Sequence, residues 1–168
     1  MNTAFRIAFS VLLVAGVAAC AKKAVKPTTT ETPAVTETQP VAPSGRYTRD
    51  SLDSDSCLRQ RVVYFDLDKT EIKPQFAAQI ACHAEYLRQF PDARVTLEGN
   101  ADERGSREYN LGLGERRGNA VSSALTAAGA TSSQLNVVSY GEERPVCRQH
   151  NEECWSKNRR VEIVYTAR

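Results

Sequence analysis

The sequence predicts an α/β fold, a two-layer sandwich in which a mixed sheet built in the order β-α-β-α-β-β carries its helices on one face. Three observations predict it. Short runs of β-branched and aromatic residues alternate with stretches whose apolar positions recur at helical spacing. Gly, Pro and Asn/Asp clusters separate these runs. Of the 168 residues, those from 61 to 168 form one patterned block, the length of a single domain.

Arg61-Val62-Val63-Tyr64-Phe65 reads as the first strand, ended by the polar loop Asp66-Leu67-Asp68-Lys69. Pro74 suits the first turn of a helix, Phe76, Ile80, Ala84 and Leu87 form its buried stripe, and Pro91 stops it. Cys82 falls about 200° from Ile80 around that helix, which places it off the buried stripe. Arg94 to Glu98 is the second strand, and the loop Gly99-Asn100-Ala101-Asp102-Glu103-Arg104-Gly105 carries it into a helix from Tyr109 to Ala128, closed by Gly129. In that helix Leu113, Ala120, Val121, Ala124, Leu125 and Ala128 lie on one stripe. Leu135 to Tyr140 is the third strand, Glu142 to Lys157 a polar excursion, and Val161 to Tyr165 the last strand.

Arg117 falls in phase with the apolar stripe, four residues from both Leu113 and Val121. A guanidinium on a core-facing stripe requires partners. The nearest anions, Asp102 and Glu103, stand at the mouth of the same strand-loop-helix unit. The residues therefore predict a carboxylate and a guanidinium facing each other across a cleft, either closing on one another or holding a zwitterion between them. Arg116-Arg117 and Arg159-Arg160 are basic doublets, and one member of each is expected at the solvated surface.

The chain outside the domain has its own chemistry. Arg6 and an apolar run from Phe9 to Ala19 fit a signal peptide over 1–19, too short to span a bilayer. Val17-Ala18-Ala19-Cys20 resembles a lipobox, which makes Cys20 the acylated first residue of a lipoprotein. Residue 21 is Ala rather than the Asp that holds lipoproteins at the inner membrane in enteric bacteria, so the expected location is the outer membrane, with the domain in the periplasm. Residues 20–46 hold four of the seven prolines and few apolar side chains, a tether with a stretched reach on the order of 80 Å. Residues 47–60 form an N-terminal extension of the domain.

Four cysteines remain, an even number that suits disulfides in an exported protein. Three pairings are possible. Cys147–Cys154 is the natural local pair and leaves Cys57–Cys82, each contributing roughly 2–4 kcal/mol by loop closure. With two histidines and no zinc-type spacing, no metal site is expected. Beyond the signal segment the chain has 21 basic against 20 acidic residues, a balance that argues against nucleic-acid binding.

The run Val62 to Thr70 contains Asp66-Leu67-Asp68-Lys69-Thr70, a strand followed by the DxDxT pattern of Mg²⁺-dependent aspartyl phosphatases, with Asp66 as nucleophile and Asp68 as acid/base. Such enzymes also need a later phosphate-binding Lys and another acidic metal ligand, and no Asp-Asp or Gly-Asp-x-x-x-Asp follows residue 102. Asp102 and Glu103 are adjacent, and adjacent carboxylates do not flank a glycosidic bond from opposite sides. The expectation is a protein without enzymatic activity or cofactor.

The spaced motifs Gly99 to Gly105, Glu108-Tyr109-Asn110, Leu113 to Arg117, Ser139 to Pro145 and Ser156 to Arg160, preceded by Tyr64 to Lys69, resemble the peptidoglycan-associated lipoproteins of the OmpA C-terminal-like domain family. The resemblance covers about 61–165. It implies non-covalent binding of peptidoglycan through the diaminopimelate of the stem peptide. Asp102 and Arg117 would hold the ligand, and Phe65, Asp66, Arg104 and Asn110 would line the same cleft. It also implies TolB and other Tol proteins as partners, and a place in the Tol–Pal system of envelope integrity and cell division. Another OmpA-like wall-binding lipoprotein without Tol partners is the alternative. The chain departs from the family pattern at Asn100 (usually His), at Ser106-Arg107 (usually Thr-Pro) and at Gly118 (usually Ala, a change expected to weaken the helix by about 1 kcal/mol). The four domain cysteines also lie outside the pattern.

Overall fold

The computed structural model describes residues 47–168. The signal segment, Cys20 and the tether lie outside the described residues. The elements are α1 (Ser51–Ser54), β1 (Val62–Tyr64), α2 (Ala77–Gln89), β2 (Arg94–Asn100), α3 (Arg107–Ala127), β3 (Leu135–Gly141), α4 (Glu152–Asn158) and β4 (Arg160–Ala167). Single 3-10 turns precede α2 and β3.

The four strands lie in the order β1-β4-β2-β3. The crossover through α3 sets β3 parallel to β2, and β4 runs antiparallel to both β2 and β1. Alternation along β2 buries Val95, Leu97 and Gly99 under the helices and leaves Thr96 and Glu98 half-exposed on the other face. Val63, Val161, Ile163, Val121 and Leu125 join this core, with Ile80, Tyr86 and Leu87 of α2. Both helices therefore sit on one side of a mixed sheet. The β2–β3 register shifts between Gly99 and Asn100, so β2 leaves the regular ladder where the polar loop begins.

The stripe on α3 is more polar than the sequence suggests. Its buried positions are Asn110, Leu113, Gly114, Arg117, Gly118, Val121 and Leu125, whereas Ala128 lies past the last turn and is exposed. Gly118 does not merely weaken this helix. A Cβ there would stand 2.5 Å from Val137 Cγ1, so the glycine lets α3 settle onto β3. Ser106, where the family pattern has Thr, caps α3 by accepting Tyr109 N–H at 3.2 Å.

Cys82, off the stripe, is 7% exposed because the segment carrying Cys57 covers it. The stripe argument assumes one covering layer, and α2 has two: the sheet on one side and residues 47–60 on the other. Leu52 and Leu58 are fully buried against it, and each contributes about 1.5–3 kcal/mol by removal from water. A Cys57–Cys82 disulfide fastens this cover, and Tyr47 N–H donates to Gln89 Oε1 at 2.8 Å. The polar excursion after β3 also contains a helix, α4, capped by Asn151 and braced by Lys157 and Glu153 at 2.9 Å. A second disulfide, Cys147–Cys154, ties α4 to the loop before it.

Beneath the cover, His83 is fully buried. Its Nε2–H donates to the Gln60 carbonyl, which leaves Nδ1 to accept the Tyr165 hydroxyl, both at 2.9 Å. Burial pushes its pKa down to about 4, against the opposing pull of the Gln60 carbonyl. The unfolded chain takes up this proton first as pH falls. The stability contributed by neutral His83 is complete above about pH 6.5 and is lost as pH falls toward 4, about 3 kcal/mol in all. Urea unfolding at pH 7 and pH 4.5 tests this. The wild type should lose about 2.5 kcal/mol more than His83→Gln over that interval, and equal losses would assign the acid sensitivity to the carboxylate pairs instead.

Candidate functional site

Arg117 enters the site from α3, one helical turn beyond Gly114. Its guanidinium is fully buried and is held by main-chain oxygens: Nε–H donates to Lys69 O at 2.9 Å, Nη1–H to Asn100 O at 2.9 Å and Nη2–H to Asp66 O at 3.0 Å. Its face lies 5.3 Å from the centre of the Phe65 ring. Three of its five N–H groups are thereby used, and one on each Nη remains. Burial, followed by the nearby Arg159 charge, pushes the pKa down to about 10, so the group is still a cation at neutral pH.

Asp102 stands just past the irregularity at the end of β2, where Ala101 N–H still reaches Gly141 O at 2.8 Å. It is 4% exposed. Its Oδ1 accepts Arg104 N–H at 3.1 Å and Arg104 Nε–H at 3.2 Å. Its Oδ2 accepts Arg104 Nη2–H at 2.6 Å and Arg159 Nη1–H at 3.1 Å. Burial alone would raise this carboxyl, but the bonds from Arg104 and Arg159 outweigh it and hold the pKa below the usual carboxylate value.

No ion pair joins Asp102 to Arg117 among the described residues. Instead both line one cleft of about 220 Å³, with Arg104 and Arg159 beside them and Asn110 and Leu113 among the other lining residues. Leu67, Asp68 and Tyr109 complete the lining, and the Tyr109 hydroxyl donates to Asp68 Oδ1. Asp68 has a φ of 55°, a conformation few side chains adopt, which marks this corner as tightly determined by its surroundings. Asn110 donates through Nδ2 to Glu142.

The structure thus brings four of the six residues singled out from sequence, Asp102, Arg104, Asn110 and Arg117, onto one surface. Phe65 lies behind them, against Arg117. Asp66 contributes its carbonyl to the Arg117 cradle, while its carboxylate pairs with Lys73 at 2.6 Å beside a neighbouring depression. Asp66 and Asp68 are therefore tied to different partners, Lys73 and Tyr109. Among the described residues no cluster of three His, Cys, Asp or Glu could hold a metal ion. Asn100, at the position of the usual His, donates to Glu98 O at 2.9 Å.

Of the cleft residues that sequence reading did not single out, Arg159 is the one bonded to Asp102. Neither member of its doublet is solvated. Arg159 donates to Phe65 O at 3.1 Å and to Glu152 at 2.5 Å, and Arg160 donates to Glu162 at 2.7 Å and to Arg144 O at 3.1 Å. The folding of α4 and its loop over the start of β4 buries both. The one available signal was the repeated charge itself.

Three guanidinium groups and two carboxylates line the cleft. The spare N–H groups of Arg117 suit a ligand carboxylate, since a guanidinium fork matches two carboxylate oxygens. Asp102 suits an ammonium. Its four acceptor positions are filled, so an incoming ammonium displaces a donor, and Arg104, with a side chain 32% exposed, is freer to move than buried Arg159.

A family model described as the OmpA family matches residues 64–159. A protein of Pseudomonas putida named peptidoglycan-associated lipoprotein is 46% identical over 114 residues, 67% of this chain and 68% of that one. A protein of Haemophilus influenzae with the same name is 45% identical over 107 residues, 64% of this chain and 70% of that one. The crystal structure of the peptidoglycan-associated lipoprotein from Burkholderia pseudomallei superposes with a TM-score of 0.67 at 43% identity, covering 68% of this chain and 98% of that one. The C-terminal domain of Helicobacter pylori MotB, at 23% identity and a TM-score of 0.58 over 64% of this chain and 84% of that one, shares the fold.

Proposed function

The chain belongs to the OmpA family, among the peptidoglycan-associated lipoproteins, and from that membership we propose that it binds peptidoglycan non-covalently through the diaminopimelate of the stem peptide. Its relatives' name supplies the polymer. The observation that carries the ligand chemistry is the placement of Arg117 and Asp102 on one small cleft without pairing to each other. Diaminopimelate presents an ammonium and a carboxylate on one carbon, a zwitterion whose two charges match Asp102 and Arg117. The carboxylate takes the two spare N–H groups of Arg117, and the ammonium takes Asp102 as Arg104 swings away. Phe65 and the carbonyls of Asp66, Lys69 and Asn100 hold the guanidinium in place beforehand, so little ordering remains to be done on binding.

The reading extends to the whole chain. Acylation at Cys20 anchors it to the outer membrane, the tether spans part of the periplasm, and the domain grips the wall without catalysing a reaction. Many anchored copies make a modest single-site affinity sufficient. TolB and the Tol–Pal system are the partners this membership brings with it.

Co-sedimentation of residues 21–168 with purified diaminopimelate-type peptidoglycan tests the central step. The protein should pellet, and free meso-diaminopimelate should release it where Nα-acetyl-lysine amide, which has an ammonium but no carboxylate on the same carbon, releases it much less. Failure to pellet, or equal release by Nα-acetyl-lysine amide, would count against the clamp.

A further inference from the structure

A second depression adjoins the cleft, and nothing in the clamp reading uses it. Its volume is about 540 Å³, and Glu103, Glu142, Arg148 and His150 are the charged or titratable groups in its walls. Three links place it beside the first. Glu103 follows Asp102 in the chain. Glu142 accepts from Asn110, which lines the cleft. Asn158, in the wall of the second depression, precedes Arg159 in the wall of the first.

The walls are built to keep their shape. The Cys147–Cys154 disulfide closes the loop. Asn158 Oδ1 accepts from the Val146 and Cys147 N–H groups at 2.9 and 3.1 Å, and its Nδ2 donates to Cys147 O at 2.7 Å. Glu103 Oε1 accepts Trp155 Nε1–H at 2.8 Å and His150 Nδ1–H at 2.6 Å. The Trp155 ring in turn supports Arg104, whose guanidinium carbon lies 4.2 Å from its centre.

Both acids in these walls already have donors: Glu103 has Trp155 and His150, and Glu142 has Asn110. Arg148 is exposed and makes no ion pair or side-chain hydrogen bond among the described residues. Arg148 is therefore the charged group of these walls without a protein partner among the described residues, and a ligand carboxylate would supply one.

We propose that this depression is a second subsite for the wall polymer, in which Arg148 takes the free α-carboxylate of the glutamyl residue next to the clamped diaminopimelate. The proposal rests on the clamp reading. It makes the disulfide-tied loop a selector for stem peptides whose glutamyl carboxylate is not amidated.

Isothermal titration of residues 21–168 separates the two readings. The probes are free meso-diaminopimelate, the tripeptide L-alanyl-γ-D-glutamyl-meso-diaminopimelate, and the same tripeptide with its glutamyl α-carboxylate amidated. Arg148→Ala should weaken the acidic tripeptide about five- to tenfold, the loss of one charge-assisted contact. It should leave the amidated tripeptide and free diaminopimelate within about twofold of wild type. Equal affinity of both proteins for the acidic tripeptide overturns the subsite and leaves the clamp standing, and equal weakening of all three ligands overturns it as well, assigning Arg148 a diffuse charge effect. A wild type that binds none of the three overturns the clamp and the subsite together.

Discussion

Arg117→Ala should abolish retention on peptidoglycan and cost the domain about 3–5 kcal/mol of stability, because one group serves both tasks. In the folded chain its guanidinium is the donor to Lys69 O, Asn100 O and Asp66 O. Removal leaves these carbonyls to find other partners and leaves a void over Phe65. A variant that loses binding by unfolding proves nothing about a clamp, so two gentler changes carry the argument. Arg117→Lys keeps the charge but offers one nitrogen where three carbonyls and a ligand carboxylate require a fork. Asp102→Asn keeps the shape but removes the charge that meets an ammonium, and it turns an amide N–H toward the Arg104 and Arg159 donors. Each should fold, with a lowered urea midpoint, and bind free diaminopimelate at least about 100-fold more weakly, which corresponds to about 3 kcal/mol of charge-assisted hydrogen bonding. Titration calorimetry on variants whose folding is checked by circular dichroism decides the matter. If both variants fold and bind as wild type does, Asp102 and Arg117 are structural residues that happen to share a cleft.

What was legible in advance was local. The unit from β2 through α3 to β3 is written in a strand pattern, a polar glycine-flanked loop and a helical stripe, and the phase of that stripe placed Arg117 on the buried side. Its partners were not legible, because they are main-chain carbonyls 17, 48 and 51 residues away, and a side-chain pattern says nothing about where a carbonyl points. The same limit hid Arg159, which meets Asp102 across 57 residues only because β4 inserts between β1 and β2. The burial of Cys82 was not legible for a different reason. A helical wheel supposes a single covering surface, and residues 47–60 supply a second one through Leu52, Leu58 and the Cys57–Cys82 bridge. The helix α4 was not legible either: Glu142 to Lys157 is polar throughout and reads as a loop, although Glu153 and Lys157 stand at helical spacing.

Gly99→Ala should be the most damaging single methyl in the domain. Here α3 lies on β2 backbone to backbone. A Cβ on Gly99 would overlap the Gly114 carbonyl group and stand 3.2 Å from its Cα, and a Cβ on Gly114 would stand 2.8 Å from Gly99 O and crowd Ser139 Oγ. No side chain can rotate out of the way, so the helix must lift, and overpacking of this kind costs about 1–3 kcal/mol or more. Asp102 and Arg117 each lie three residues past this contact, one on the strand and one on the helix. Lifting α3 therefore draws the guanidinium away from Asn100 O, so Gly99→Ala should lose diaminopimelate binding even under conditions where it remains folded. Gly112→Ala supplies the contrast within the same helix. A Cβ there meets only Arg116 Nη1, at 3.2 Å, the end of a flexible side chain, and the change should stabilise the domain by about 0.5–1 kcal/mol through helix propensity alone. Gly114→Ala receives the same propensity gain but meets backbone, and should come out net destabilising in urea unfolding. If Gly114→Ala instead stabilises as Gly112→Ala does, α3 rides higher on the sheet than this contact requires, and the glycine pair does not set the width of the cleft.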